Sequence, residues 1–150
     1  MAEAATIVRL TQEEGYRFRA TFEGPTVPPE TVDEPDPTGA AAGPDAVQLL
    51  ALAVGHCMSS TLHACFERSH VAVRPISTEV RPILGRNARG RLRVVRLEVA
   101  IDAQPVDEAD RPKVARCLAV FEDLCPVTGA VREGAAVVLT ATGPPTGSPG

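Results

Sequence analysis

The 150-residue chain has no tryptophan, one tyrosine (Tyr16) and four phenylalanines, so aromatic residues make up only 3% of it. Its core must be built from Val, Leu, Ile and Ala, within a hydrophobic content of 44% that is ordinary for a globular protein. Positive charge is also scarce. The net charge of −4 argues against a nucleic-acid partner, whose binders are normally basic. The start Met1-Ala2-Glu3-Ala4-Ala5 has no basic segment followed by an apolar run, so no secretory signal is read there. No apolar stretch runs the ~18 residues of a membrane span without a polar interruption. There is no glycine-rich phosphate loop, no CxxC pair and no GxSxG elbow. These absences leave no expected cofactor, metal, nucleic acid or membrane partner. They point to a cytoplasmic protein whose four cysteines stay reduced, and so argue against a static disulfide framework.

What is present fits one domain over residues 1–142, or one subunit of a small obligate oligomer, followed by a disordered Pro/Gly/Ser-rich tail at 143–150. Residues 6–10 and 16–22 read as a hairpin turning near Gly15, with Tyr16, Phe18, Ala20 and Phe22 on one face of the second strand. Residues 24–44 hold six prolines and three glycines, a loop of unusual length for a compact domain, with a short strand possible at Thr31-Val32. Asp45 is a helix N-cap. The helix after it, 46–68, is apolar around most of its circumference and should be buried on most sides. Strands follow at 71–84 and 91–102, with the apolar phase switching at Val95, which predicts a bulge. A second helix over 110–124 turns Val114, Leu118, Phe121 and Leu124 inward and stops at Cys125 because of Pro126. Residues 135–142 read as a last strand. The order β-β-α-β-β-α-β is an α+β pattern with mostly antiparallel sheet around two helices.

The cysteines carry the best candidate chemistry. Cys57 and Cys65 lie eight residues apart in one helix, and so do Cys117 and Cys125. Each pair spans roughly 12 Å along its axis, about twice what a disulfide tolerates. A disulfide must therefore join one helix to the other, which leaves Cys57 with Cys125 or with Cys117. Cys125, at a helix C-terminus, sits where the dipole disfavours a thiolate, and reads as the poorer nucleophile and the better resolving thiol. Burial raises the pKa of Cys57, which needs a neighbouring Arg or protonated His to react. His56 points about 100° away around the helix. Buried core cysteines are the plain alternative. A metal set of His56, Cys57, His63 and Cys65 lacks the clustered spacing of a zinc site. Six arginines on the hairpin 81–96 read as a solvated sheet face, or as an anion-attracting rim.

The run Gly43-Pro44-Asp45-Ala46-Val47-Gln48-Leu49-Leu50-Ala51, followed by Cys57-Met58-Ser59, resembles the central-helix motif of the OsmC/Ohr family. These are the osmotically inducible protein C and organic hydroperoxide resistance proteins. Arg116-Cys117 and Phe121-Glu122-Asp123-Leu124-Cys125-Pro126-Val127-Thr128 resemble its second-cysteine motif, and Val131-Arg132-Glu133-Gly134 with the closing strand is similar to an OsmC-like subgroup. The resemblance implies an intertwined homodimer with the two long helices at its centre and sites at the interface. It also implies reduction of small organic hydroperoxides, with Cys57 as peroxidatic thiol, Cys125 as resolving thiol, and a lipoamide-type dithiol as reductant. The pattern departs from the family at two points. Val47 stands where the best-known peroxidases carry Glu, and no Lys or Arg occurs between Arg19 and Arg68. Arg9, Arg17, Arg19 and Arg132 are the candidates to activate Cys57, and Glu34 to replace the carboxylate. A non-catalytic ligand-binding or redox-sensing dimer is the alternative these losses raise.

Overall fold

A computed structural model describes residues 4–24 and 26–144; the end of the expected tail, 145–150, lies outside the described residues. The chain opens with an antiparallel hairpin, β1 (Val8–Glu14) and β2 (Arg17–Phe22), turning at Gly15 with φ +52°. β3 (Glu30–Val32) adds to β2, Phe18 opposite Val32, where a short strand was anticipated. This sheet receives little cover from its own chain. Every residue of β1 is exposed, and of the alternating β2 face only Ala20 is buried.

The proline-rich loop that follows is tied around one buried carboxylate. Asp33 accepts hydrogen bonds from the backbone N–H groups of Glu34 (2.9 Å), Ala40 (3.2 Å) and Ala42 (3.2 Å), with Arg17 Nε 4.0 Å away. Its own N–H donates to the Pro44 carbonyl. Gly43 crosses so close to β3 that a Cβ there would overlap the Thr31 carbonyl. The loop thus delivers the chain to Asp45 in a fixed geometry. Asp45 and Gln48 form a reciprocal capping box, Gln48 N–H donating to Asp45 Oδ1 (2.8 Å) and Asp45 N–H to Gln48 Oε1 (3.0 Å).

Helix α1 (Ala46–Arg68) buries Ala51, Val54, Gly55, Met58, Leu62 and Phe66, one stripe at helical spacing. By length and composition it is apolar enough to cross a membrane. Here, however, that stripe packs into the core with Val71, Ala103, Val114 and Phe121. Burial on most sides is not met within one chain: Leu52 is 65% exposed. Gly55 allows the closest approach, since Val80 Cγ2 lies 2.8 Å from where a Cβ would stand.

β4 (Ser77–Arg86) and β5 (Leu92–Asp102) form a second antiparallel sheet, separate from the first. Ile83 pairs with Arg96 and Leu84 with Val94, so Val95 is the extra residue of the bulge read at the phase switch. Leu97, Val99 and Ile101 pack on the core. The strand expected from residue 71 begins only at Ser77, with a single bridge from Val73 to Pro105 before it. On the outer face Arg81 pairs with Glu79 and Glu98, and Arg96 with Glu98, in keeping with a solvated sheet.

The last third departs most from expectation. The helix anticipated over 110–124 is α2 (Arg111–Val120) followed by a 3₁₀ turn at Phe121–Leu124. Tightening to about three residues per turn changes which side chains face inward after Phe121, while within α2 itself the inward face falls on Cys117 and not on Leu118. Cys117, Phe121 and Cys125 are buried beside Val114, whereas Leu118 and Leu124 are exposed. Cys125 then opens a third helix, α3 (Pro126–Glu133), which the sequence reading missed. Pro126 occupies its first position, where the missing N–H costs nothing, and Gly134 ends it at φ +75°. Residues 135–142 form no strand. Val137 and Leu139 are 95% and 83% exposed, and among the described residues no strand lies beside them. The architecture is α+β with two antiparallel sheets and three helices.

The Asp33 knot generates a pH prediction. Burial raises the Asp33 pKa, but the three N–H donors and Arg17 outweigh it and hold the carboxyl below its ordinary 3.8. The native state therefore binds fewer protons than the unfolded chain. The stabilisation is present above that value and is lost as the pH falls through the lowered one. Asp33→Asn should lower the denaturation midpoint at pH 7, with the gap to the wild type narrowing below pH 3.8, as urea titrations across the acid range would show.

Candidate functional site

Cys57 projects from the middle of α1, one residue before Met58 of the buried stripe, and is half-buried. Cys125 sits at the bend between the 3₁₀ turn and α3, and is buried. The two sulfurs are 2.7 Å apart, in contact but not bonded. Of the two partners left open for Cys57, the structure brings it to Cys125.

Cys117 is taken elsewhere. It forms a disulfide with Cys65, Cα–Cα 5.7 Å, within the span such bonds require. This corrects the expectation of four reduced thiols and of no static disulfide. The signal was in the spacing. Eight residues separate the cysteines in both segments, so antiparallel packing that joins one pair also aligns the other. The residues of the considered metal set are engaged separately: His63 faces Glu67 at 3.6 Å, His56 faces Ser60 at 3.3 Å, and Cys65 is in the disulfide.

Cys125 closes the 3₁₀ turn and is at the same time the N-cap of α3, so the longer helix beside it presents its N-terminus, opposite to the expected sign of the dipole. Thr128 Oγ1 donates to its sulfur at 3.1 Å, and the backbone N–H groups of Val127 and Thr128 face it as well. Burial alone would raise the Cys125 pKa, but Cys57, the Thr128 hydroxyl and these N–H groups together hold it below the ordinary thiol value. Cys57 is pushed the other way. Burial raises its pKa, and the bond to Cys125 and the charge there add to that. The Val127 N–H and the Thr61 hydroxyl offset it only in part. The Cys125 thiol donates to Cys57 at 2.7 Å, so the two sulfurs titrate as one coupled unit.

None of the arginines proposed from sequence is among the groups acting on Cys57. Arg17 lies beside Asp33, Arg132 pairs with Glu122, and Arg9 and Arg19 are exposed on the N-terminal sheet. Glu34 belongs to the Asp33 knot through its backbone. A cavity of about 210 Å³ is lined by Val54, Met58, Leu97, Val99, Thr128 and Arg132 among others, Met58 following Cys57 in the chain and Thr128 being the donor to Cys125, though neither sulfur lines it. A separate open groove is lined by Thr61, Arg68 and Leu124. Of the two sulfurs Cys57 is the one partly open to solvent, and Cys125 is buried.

The family model for OsmC-like proteins matches residues 38–140, which include all four cysteines. The chain belongs to the OsmC-like family. No protein of curated function matches it. Among solved structures, this OsmC-like chain is similar to the OsmC-like protein of Mycoplasma pneumoniae (TM-score 0.72, 12% identity), covering 89% of this chain and 91% of that one. It is also similar to an OsmC-like protein of unknown function from Vibrio cholerae (TM-score 0.68, 14% identity, 87% and 94% covered). A third is the organic hydroperoxide resistance protein OsmC of Legionella pneumophila (TM-score 0.62, 17% identity, 88% and 92% covered). At these identities the likeness carries the fold.

Two outcomes follow from this geometry. Replacing both Cys65 and Cys117 by Ala removes a crosslink between residues 52 positions apart. That should cost about 2–4 kcal/mol in non-reducing denaturant titrations. In the protein keeping that disulfide, thiolate absorbance should appear in two steps, one below and one above the ordinary 9.0, the two steps belonging to the pair as a unit.

Proposed function

We propose that the chain reduces organic hydroperoxides through Cys57 and Cys125. The observation that carries this reading is the 2.7 Å approach of the two sulfurs, a small movement from a disulfide at about 2.05 Å. Cys57, the less buried sulfur, attacks the terminal peroxide oxygen. The O–O bond breaks, an alcohol leaves, and Cys57 becomes a sulfenic acid. Cys125 then attacks the Cys57 sulfur and water departs, so that two thiols and one hydroperoxide yield a disulfide, an alcohol and water. A small dithiol of the lipoamide class returns the pair to thiols by exchange. The apolar recess at Met58 and Val54 suits the organic part of such a substrate. The name of the Legionella relative, an organic hydroperoxide resistance protein, agrees with this chemistry.

The working unit in this reading is a homodimer in the cytoplasm. Support comes from the uncovered β1–β3 sheet, from Leu52 on the open face of α1, and from the unpaired apolar run at 137–139.

A second reading, a redox-sensing or ligand-binding dimer without turnover, is favoured by the absence of a cation among the groups acting on Cys57 and by its raised pKa. The two separate on treating the reduced protein with one equivalent of cumene hydroperoxide and mapping its peptides without reductant. Catalysis predicts a Cys57–Cys125 crosslink within seconds, and loss of turnover with dihydrolipoamide in both Cys57→Ser and Cys125→Ser. Full turnover in Cys57→Ser would sink the proposal, and thiols still free after several minutes would favour the sensor.

A further inference from the structure

The cavity of about 210 Å³ is walled by α1, β5 and α3 of a single chain. Val54 and Met58 of α1, Leu97 and Val99 of β5 and Val131 of α3 make those walls mainly apolar. Two cations complete the lining: Arg96 of β5, and Arg132 in the last turn of α3. Their side chains are 61% and 52% exposed, as when apolar stems line a wall and charged heads stand at its rim. Among the described residues no carboxylate shares the lining. Glu98, which pairs with Arg96, and Glu122, which pairs with Arg132, lie outside it.

We propose that this cavity binds an alkyl carboxylate, its hydrocarbon chain against the apolar walls and its carboxylate held between Arg96 and Arg132. The inference goes beyond the hydroperoxide reading, which places only an apolar group there, and its test needs no turnover.

Size and charge each narrow the ligand. An apolar cavity of roughly 150 Å³ can hold benzene, so this one has room for a single chain of about eight carbons. The head is set by the two guanidinium groups. Glu98 engages Nε of Arg96 and Glu122 engages Nη2 of Arg132, a single nitrogen in each case. A guanidinium carries N–H donors on all its nitrogens, so both arginines retain donors for a second carboxylate, whose paired oxygens match their planar fork. A neutral head forgoes these bonds, and an ammonium head is repelled.

Other hollows lack this combination. The one at Arg17 includes the carboxylates of Glu14 and Asp33 in its lining. The broader one between α1 and β4, at Leu52, Ser59 and Val80, has no arginine or lysine in its lining. Thr128 gives the Arg96–Arg132 cavity a bearing on the sulfurs, since it lines the wall and donates its hydroxyl to Cys125. A bound chain thus lies one side chain away from the reactive pair.

The test is equilibrium dialysis of the full-length protein at neutral pH with radiolabelled octanoate, octan-1-ol and octylamine. Octanoate should bind saturably at one site per chain, octan-1-ol about tenfold more weakly, and octylamine not at all. Arg96→Gln and Arg132→Gln should each weaken octanoate about tenfold and leave octan-1-ol unchanged, a split that a packing defect would not produce. Val131→Phe, at a partly exposed wall position, fills the cavity and should weaken both. Equal binding of octanoate and octan-1-ol overturns the proposal, as does a lack of saturable octanoate binding. Octanoate binding untouched by all three substitutions puts its site elsewhere and overturns it too. The hydroperoxide reading stands or falls separately, on its own peptide map.

Discussion

Antiparallel packing of α1 against the segment from α2 to α3 sets where the four cysteine sulfurs lie. The Cys65–Cys117 bond holds the two segments together at one point. Eight residues along each segment, Cys57 and Cys125 come into contact without bonding. The closed pair fixes the register of the open one, since a slip of either helix would have to stretch a covalent link. At its other end α1 is held by the Asp45 cap and the knot around Asp33. The reactive pair therefore lies between two fixed points, the arrangement that positions chemistry best.

The electrostatics of the open pair depend on a single bend. Had the chain continued as helix through residue 125, Cys125 would face carbonyl groups and its thiolate would be penalised. Because the segment tightens at Phe121 and restarts at Pro126, the same sulfur meets N–H groups and the Thr128 hydroxyl.

Much of this was legible in the sequence. Uniform apolar content and a strong cap gave α1 to the residue, and a phase change in β5 gave the Val95 bulge, because both are local patterns with one solution. The motif resemblance named both cysteines of the open pair. Two kinds of error had physical causes. The inward face of α2 was centred on Leu118 where the helix turns Cys117 inward, and the unforeseen 3₁₀ turn then left Leu124 exposed and Cys125 buried. Pro126 was read as a stop although proline is equally at home as a first helical residue, and with that misreading went α3, Thr128 and the sign of the dipole at Cys125. The closing strand failed for a different reason: its residues favour β structure, but one chain offers them no neighbour.

That uncovered Val137-Val138-Leu139 run has a bearing on the life of the protein as well as its shape. Exposed apolar segments with no paired backbone are what chaperones and proteases read as unfinished folding, and they are the templates on which aggregates grow. A solitary copy of this chain carries that mark permanently. Its lifetime should therefore depend on how soon the run is covered, so abundance would be governed by the rate of synthesis as much as by intrinsic stability.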